Sequence, residues 1–258
     1  ALAGELMLAS FLLLLGHAIR ERAGRGLART AGRPQADERA GRGRSGAVCR
    51  LVGSGALAGL AVLTKAPALY LVPCAVAALA MATVRPGRSR PWVAHLAAQL
   101  AVWGLAAAVV AVALWPSLWV APLATTRQVL DQALGYASVA EKTTSFFLGA
   151  RVEEPGWRFY PAALLLRGTL PLVVGLLLAG WSLLAGNAAR AGRRPAVAAL
   201  TLYAVGFALL LTVSDKKYDR YLAPALMAGG LLAGAGWDHA ARRLRRGLAG
   251  PRQLRAVA

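Results

Sequence analysis

The chain has 258 residues, 57% of them hydrophobic, with a mean hydropathy of +0.51. Soluble domains stay nearer ~45–50% apolar, and here the apolar residues come in blocks, which excludes an ordinary soluble globule and points to a multi-span membrane protein. The net charge of +19 would suit nucleic acid, but the arginines fall between apolar blocks, mostly on alternate connections, which excludes that partner.

Two cysteines, Cys49 and Cys74, are too few for a metal site or a disulfide framework; Cys74 reads as a buried apolar thiol. No signal-peptide pattern is read at the start, and a chain that opens at Ala1 without Met is expected to be a fragment or a trimmed chain.

In chain order, Leu6–Ile19 is the first apolar run, headed by Glu5. Residues 20–50 carry nine Arg against three acids and read as a flexible Arg-rich cytoplasmic loop. Leu51–Thr64 is apolar over fourteen residues, about 21 Å of helix against a core of about 30 Å. Lys65-Ala66-Pro67 breaks it, and Ala68–Val84 continues as the second arm of a hairpin whose ends lie on one side. Trp92–Leu114 spans next, with Trp92 and Trp115 as interfacial anchors. Residues 115–167 form an outer-face loop with short interfacial helices, for example near Thr125–Val139. Thr169–Leu184, Ala196–Val213 and Leu222–Trp237 complete about seven membrane helices, and 239–258 is a basic tail. The expected fold is an all-α polytopic membrane bundle, one transmembrane domain over 1–258.

The segments 20–50, 85–91, 187–194 and the tail from 241 hold 21 of the 30 Lys and Arg. The positive-inside rule makes their face cytoplasmic, with the chain's start outside and its end inside, as a multi-pass cell-membrane protein. The other face gathers Glu5, Lys65, Tyr160, Arg167, Lys216, Lys217, Asp219, Arg220 and Tyr221. Polar groups at membrane depth have a partner or a task. Glu5 suits a helix N-terminus, or helps bind a metal or orient an acceptor. Lys65, Lys216 and Lys217 either snorkel to the interface or hold an anion, and the planar fork of Arg167 or Arg220 suits phosphate. His17, His95 and His239 are expected near the cytoplasmic face, away from acids, without a catalytic part. Spacing gives an anion-friendly outer surface and no reaction.

Several segments carry a resemblance. Gly59-Leu60-Ala61-Val62-Leu63-Thr64-Lys65, Trp115-Pro116-Ser117-Leu118-Trp119, Phe146-Phe147-Leu148-Gly149 with Pro155-Gly156-Trp157-Arg158-Phe159-Tyr160-Pro161, Leu166-Arg167-Gly168-Thr169-Leu170-Pro171 and Lys216-Lys217-Tyr218-Asp219-Arg220-Tyr221-Leu222-Ala223-Pro224 follow in the order found in the GT-C superfamily. Over residues 5–237 the chain resembles the C-terminal part of its protein O-mannosyltransferase and aminoarabinose-transferase branch. The resemblance implies a membrane glycosyltransferase that moves a sugar from a polyprenyl-phosphate donor to a protein or glycolipid acceptor on the non-cytoplasmic face. It implies that Lys65, Arg167, Lys216, Lys217 and Arg220 hold the donor phosphate, that Tyr160 and Tyr221 line the substrate pocket, and that Glu5 matches a second acidic position. The principal catalytic Asp is expected upstream of residue 1, so the fragment alone is expected to be inactive. No cofactor is assigned; a divalent metal is allowed, although no ligand set is read. The rival readings are a transporter or lipid flippase, and a non-catalytic membrane subunit.

Overall fold

The computed structural model describes residues 2–27, 33–83, 91–138, 145–152, 155–185, 194–213 and 217–248. The protein is an all-α polytopic membrane bundle. Lipid offers backbone amides no partners, so a chain this apolar satisfies them inside helices. Among the described residues five helices are long and apolar enough to cross a membrane: Leu2–Ala23, Ser45–Thr64, Ala66–Thr83, Trp92–Leu114 and Pro195–Thr212. Gly156–Arg167 and Leu170–Leu184 make a sixth if the pair, bent by 117°, is one span. The seventh expected crossing, Leu222–Trp237, lies in the helix Ala223–Leu248, which does not meet that standard; its apolar stretch is interrupted by glycines and ends at Asp238-His239. Large apolar side chains such as Leu105, Val109, Leu177 and Leu209 face outward, as a lipid solvent permits.

Two expectations change. The helix α1 (Leu2–Leu27) runs on past Ile19 and α2 (Arg33–Thr64) begins well before Leu51, so the described part of the Arg-rich segment is helical rather than loop. The short arm is also not short: with residues from Ser45 onward it spans 20 residues, about 30 Å at ~1.5 Å per residue.

The described residues form two compact units, 1–141 and 142–258. In the first, α1 packs on α2 and on α3 (Leu71–Thr83), and α4 (Pro91–Leu114) packs on the same two, so α1 and α4 face each other across the bundle axis. The buried residues Met7, Ser10, Phe11, Leu14, His17 and Ala18 recur every three or four positions and form the inner face of α1. Close approach of α2 to α4 rests on Gly55 and Gly59: a Cβ at either would strike the carbonyl oxygen of Trp103 or of Ala107. Small residues four apart let membrane helices meet through their backbones.

Ser10 Oγ donates to the Ser54 carbonyl and Ser54 Oγ to the Ser10 carbonyl, both at 2.8 Å, while Trp103 Nε1 donates to Ser54 Oγ at 3.1 Å. One buried hydroxyl thus ties three helices. Ser54→Ala removes the acceptor of a buried indole N–H, and is expected to destabilise the first unit by about 1–2 kcal/mol in mixed-micelle unfolding. Two shorter helices, α5 (Pro116–Val120) and the amphipathic α6 (Pro122–Ser138), close this unit; α6 lies where the sequence placed an interfacial helix.

The second unit opens on a hairpin, Ser145–Phe147 against Ala150–Val152. Its turn is Leu148-Gly149, with φ of 51° and 88°, the left-handed pair that a two-residue hairpin turn needs. Then come α7 (Phe159–Arg167), α8 (Leu170–Leu184), α9 (Arg194–Val213) and α10 (Ala223–Leu248). α8 and α10 cross at Gly175 and Gly236, where a Cβ on Gly236 would overlap the Gly175 carbonyl. Tyr203 and Phe207, both fully buried, stack at 6.5 Å in α9, which packs on α10.

Candidate functional site

The site lies in the second unit, where α7 to α10 line an open cavity of about 460 Å³. Its wall is almost wholly apolar: Leu164 from α7, Leu172 and Leu176 from α8, Val205 and Leu209 from α9, Leu226 from α10. Tyr160, itself buried, brings a hydroxyl to this wall. Its neighbours are Tyr218, Tyr221 and Asp219. The hydroxyl faces the Tyr218 backbone without a well-formed hydrogen bond. The sequence after α9 therefore matters: residues 217–222 turn the chain back over the cavity as a short 3₁₀ segment, Asp219–Leu222, and Leu222 closes the wall.

Asp219 organises the polar side of that turn. Its Oδ1 accepts the Arg220 amide at 2.8 Å and its Oδ2 pairs with Arg167 Nη1. The Arg220 guanidinium lies 4.7 Å from the Tyr218 ring centre and 5.7 Å from that of Tyr221, and the two rings meet edge to face at 5.4 Å. Such cation–π contacts hold an arginine in place while leaving its N–H groups for an anion. Arg167 reaches Asp219 because the α7–α8 chain folds sharply at Gly168-Thr169. Gly168 N–H donates to the Leu164 carbonyl at 2.8 Å, and the Thr169 carbonyl accepts from Leu172 at 2.9 Å. A Cβ at Gly168 would collide with the Leu164 carbonyl. Gly168→Ala is therefore expected to open the elbow at a cost of about 1–3 kcal/mol, seen as a lower melting temperature in detergent.

Phe147 of the hairpin packs 5.9 Å from Phe159, and Phe159 meets Tyr160 edge to face at 5.1 Å. The aromatic residues of this segment thus form a ladder from the hairpin to the cavity wall.

The structure therefore brings Tyr160, Arg167, Arg220 and Tyr221 together. Tyr160 lines the cavity; Tyr221 instead supports Arg220. Lys217 is half-buried at the start of the same turn. Lys216 lies outside the described residues. Glu5 and Lys65 belong to the first unit, both exposed, and the antiparallel packing of α1 on α2 puts them at the same end of it. Among the described residues no group of three or more His, Cys, Asp or Glu could hold a metal ion.

The reading of the histidines is corrected. His95 Nε2 lies 2.7 Å from Glu21 Oε1 and His17 Nε2 lies 3.5 Å from Glu21 Oε2. Gln99 Nε2 joins them, 2.7 Å from Glu21 Oε2 and 3.1 Å from His17 Nε2. The i,i+4 spacing of His17 and Glu21 was a signal in the sequence; His95 and Gln99 come from a helix some eighty residues on, which spacing alone cannot pair. Comparison with protein-family models, curated proteins and solved structures finds no match for this chain.

Proposed function

We propose that the chain is the C-terminal part of a GT-C-like membrane glycosyltransferase that uses a polyprenyl-phosphate-linked sugar. The observation that carries this reading is an apolar cavity of about 460 Å³ with an arginine-bearing turn beside it, joined through Tyr160. An isoprenoid tail needs the first and a lipid phosphate needs the second. In the reaction the acceptor oxygen would displace the polyprenyl phosphate at the sugar's anomeric carbon, and the leaving phosphate would carry away the bonding electron pair. Arg220, Arg167 and Lys217 would stabilise that developing charge. The general base is assigned to the acidic outer loop that the family resemblance places upstream of residue 1. On this reading the arginine-bearing turn faces the outside of the cell membrane.

The test is transfer of labelled sugar from a lipid-linked donor, with the upstream segment joined to this chain. Joint replacement Lys217→Ala and Arg220→Ala is expected to abolish most transfer, and unchanged transfer rejects the clamp. The rival reading of a transporter or flippase needs polar groups at mid-depth, whereas the ionisable cluster around Glu21 stands at the ends of the spans Leu2–Ala23 and Trp92–Leu114. Movement of a fluorescent polyprenyl phosphate across vesicles, without sugar transfer, would decide for it.

A further inference from the structure

We propose that the far end of α10, from Trp237 to Arg245, is a basic amphipathic helix that binds the anionic headgroups of membrane lipids. The inference goes beyond the transferase reading and does not rest on it. It starts from a change in burial along one unbroken helix. Up to Gly236, α10 has an inner face: Ala228, Gly229, Leu232, Ala233 and Gly236 are buried, and α8 and α9 pack on the helix. Beyond Gly236 no residue as far as Arg245 is buried, and from Ala241 to Arg245 each one is exposed. The helix nevertheless runs on to Leu248. Its end thus stands clear of the helices it packed on.

The residues of that end divide by face. Gly234, Trp237, Ala241 and Leu244 follow at i, i+3, i+7 and i+10, the spacing of one helical stripe. All four are exposed, Leu244 at 68%. Arg242, Arg243 and Arg245 fill positions outside that stripe. Asp238 pairs with Arg242 one turn on. Arg243 and Arg245 have no carboxylate partner among the described residues. Trp237 Nε1 donates to the Pro171 carbonyl at 2.9 Å, which ties the stripe to the start of α8 and sets how the helix end is turned.

Such an end needs two covers at once. Leu244 and Trp237 gain from oil, and the arginines gain from anions. The negative end of the helix dipole suits arginines there, but it does not account for a leucine and a tryptophan on the stripe beside them. The boundary between acyl chains and headgroups supplies both covers across the width of one helix. Clustered arginines next to a membrane-embedded helix select anionic headgroups over neutral ones.

Position along the helix agrees. At ~1.5 Å per residue, Trp237 stands about 21 Å and Arg245 about 33 Å from Ala223. The segment therefore brackets the far edge of a hydrocarbon core of about 30 Å. The basic end is also continuous with a helix packed inside the bundle. It meets the headgroups without a linker, and this is why the occupant is lipid rather than an acidic protein.

The experiment uses the whole chain in vesicles of phosphatidylcholine and phosphatidylglycerol, with Cys49→Ser and Cys74→Ser and a bimane label at Leu244→Cys. Brominated lipid is supplied as one or the other headgroup, and its quenching of the label reads the local preference. About a fivefold preference for phosphatidylglycerol is expected at about 0.15 M salt, the attraction of one arginine near an anionic surface. It should fall below about twofold at about 1 M salt, where screening acts within ~3 Å. Joint replacement Arg242→Gln, Arg243→Gln and Arg245→Gln should remove the preference while phosphatidylcholine still quenches, which shows the helix end still at the bilayer. A label at Leu231→Cys, on the packed part of the same helix, should show less than about twofold preference at either salt. Equal quenching by both lipids with the arginines in place overturns the proposal. So does a preference that survives the triple replacement, and so does a Leu244 label that neither lipid quenches, the result expected of an end covered by another protein.

Discussion

Arg167→Ala combined with Arg220→Ala is expected to weaken binding of polyprenyl phosphate about a hundredfold in nanodiscs, with about tenfold from each. A charge-assisted hydrogen bond contributes about 1.5–3 kcal/mol, and the exposure of both guanidinium groups places the effect at the low end of that range. Arg220 is held by Tyr218 and Tyr221, and Arg167 by Asp219, so neither has to be ordered when the phosphate arrives. Arg151→Ala, in the hairpin, is the charge-matched control and should leave binding within about twofold. The parent alcohol, with the same tail and no phosphate, should bind the double variant and the unaltered chain alike. Equal loss for alcohol and phosphate would show a damaged cavity, not a phosphate site.

Gly236→Leu is expected to unfold the second unit under conditions where Gly234→Leu, two residues away, is tolerated. A side chain at Gly236 enters the Gly175 carbonyl, and one at Gly175 meets the Cβ of Ala233 at 2.7 Å, whereas at Gly234 nothing lies within 4 Å. Forcing bulk into a backbone contact costs about 1–3 kcal/mol or more, and in lipid no hydrophobic gain offsets it. Mixed-micelle unfolding of the two variants measures it. A stable Gly236→Leu protein would mean that α8 and α10 do not cross there.

Much of the bundle was legible because lipid leaves a chain so few choices. Blocks such as Trp92–Leu114 and Ala196–Val213 have the length and apolarity of spans, and each lies within a helix that passes that standard. Helix ends were less legible: polar Arg-rich sequence still extends α1 and α2, since Arg and Ala are good helix formers. The glycine contacts at positions 55 and 59 were invisible as contacts, because the sequence does not say which helix faces them. At the site, Arg167 stood out by being charged amid apolar residues, and Arg220 by belonging to a charged, aromatic stretch between two apolar runs. The role of Asp219 as their shared partner, and that of Leu148-Gly149 as a hairpin turn, depend on backbone geometry no spacing rule supplies. The Glu21 cluster was missed because half of its members come from a distant helix.

The elbow at Gly168-Thr169 has a consequence for solvent. The Gly168 amide and the Thr169 carbonyl find partners within the turn itself, which lowers the debt of hydration that a bend of 117° carries in a dry environment. A straight rod shows oil only its flanks; this bend shows a tip. It lets a guanidinium stand at the end of a helix, at whatever depth the bend occupies, rather than along the flank where it would have to stretch toward water.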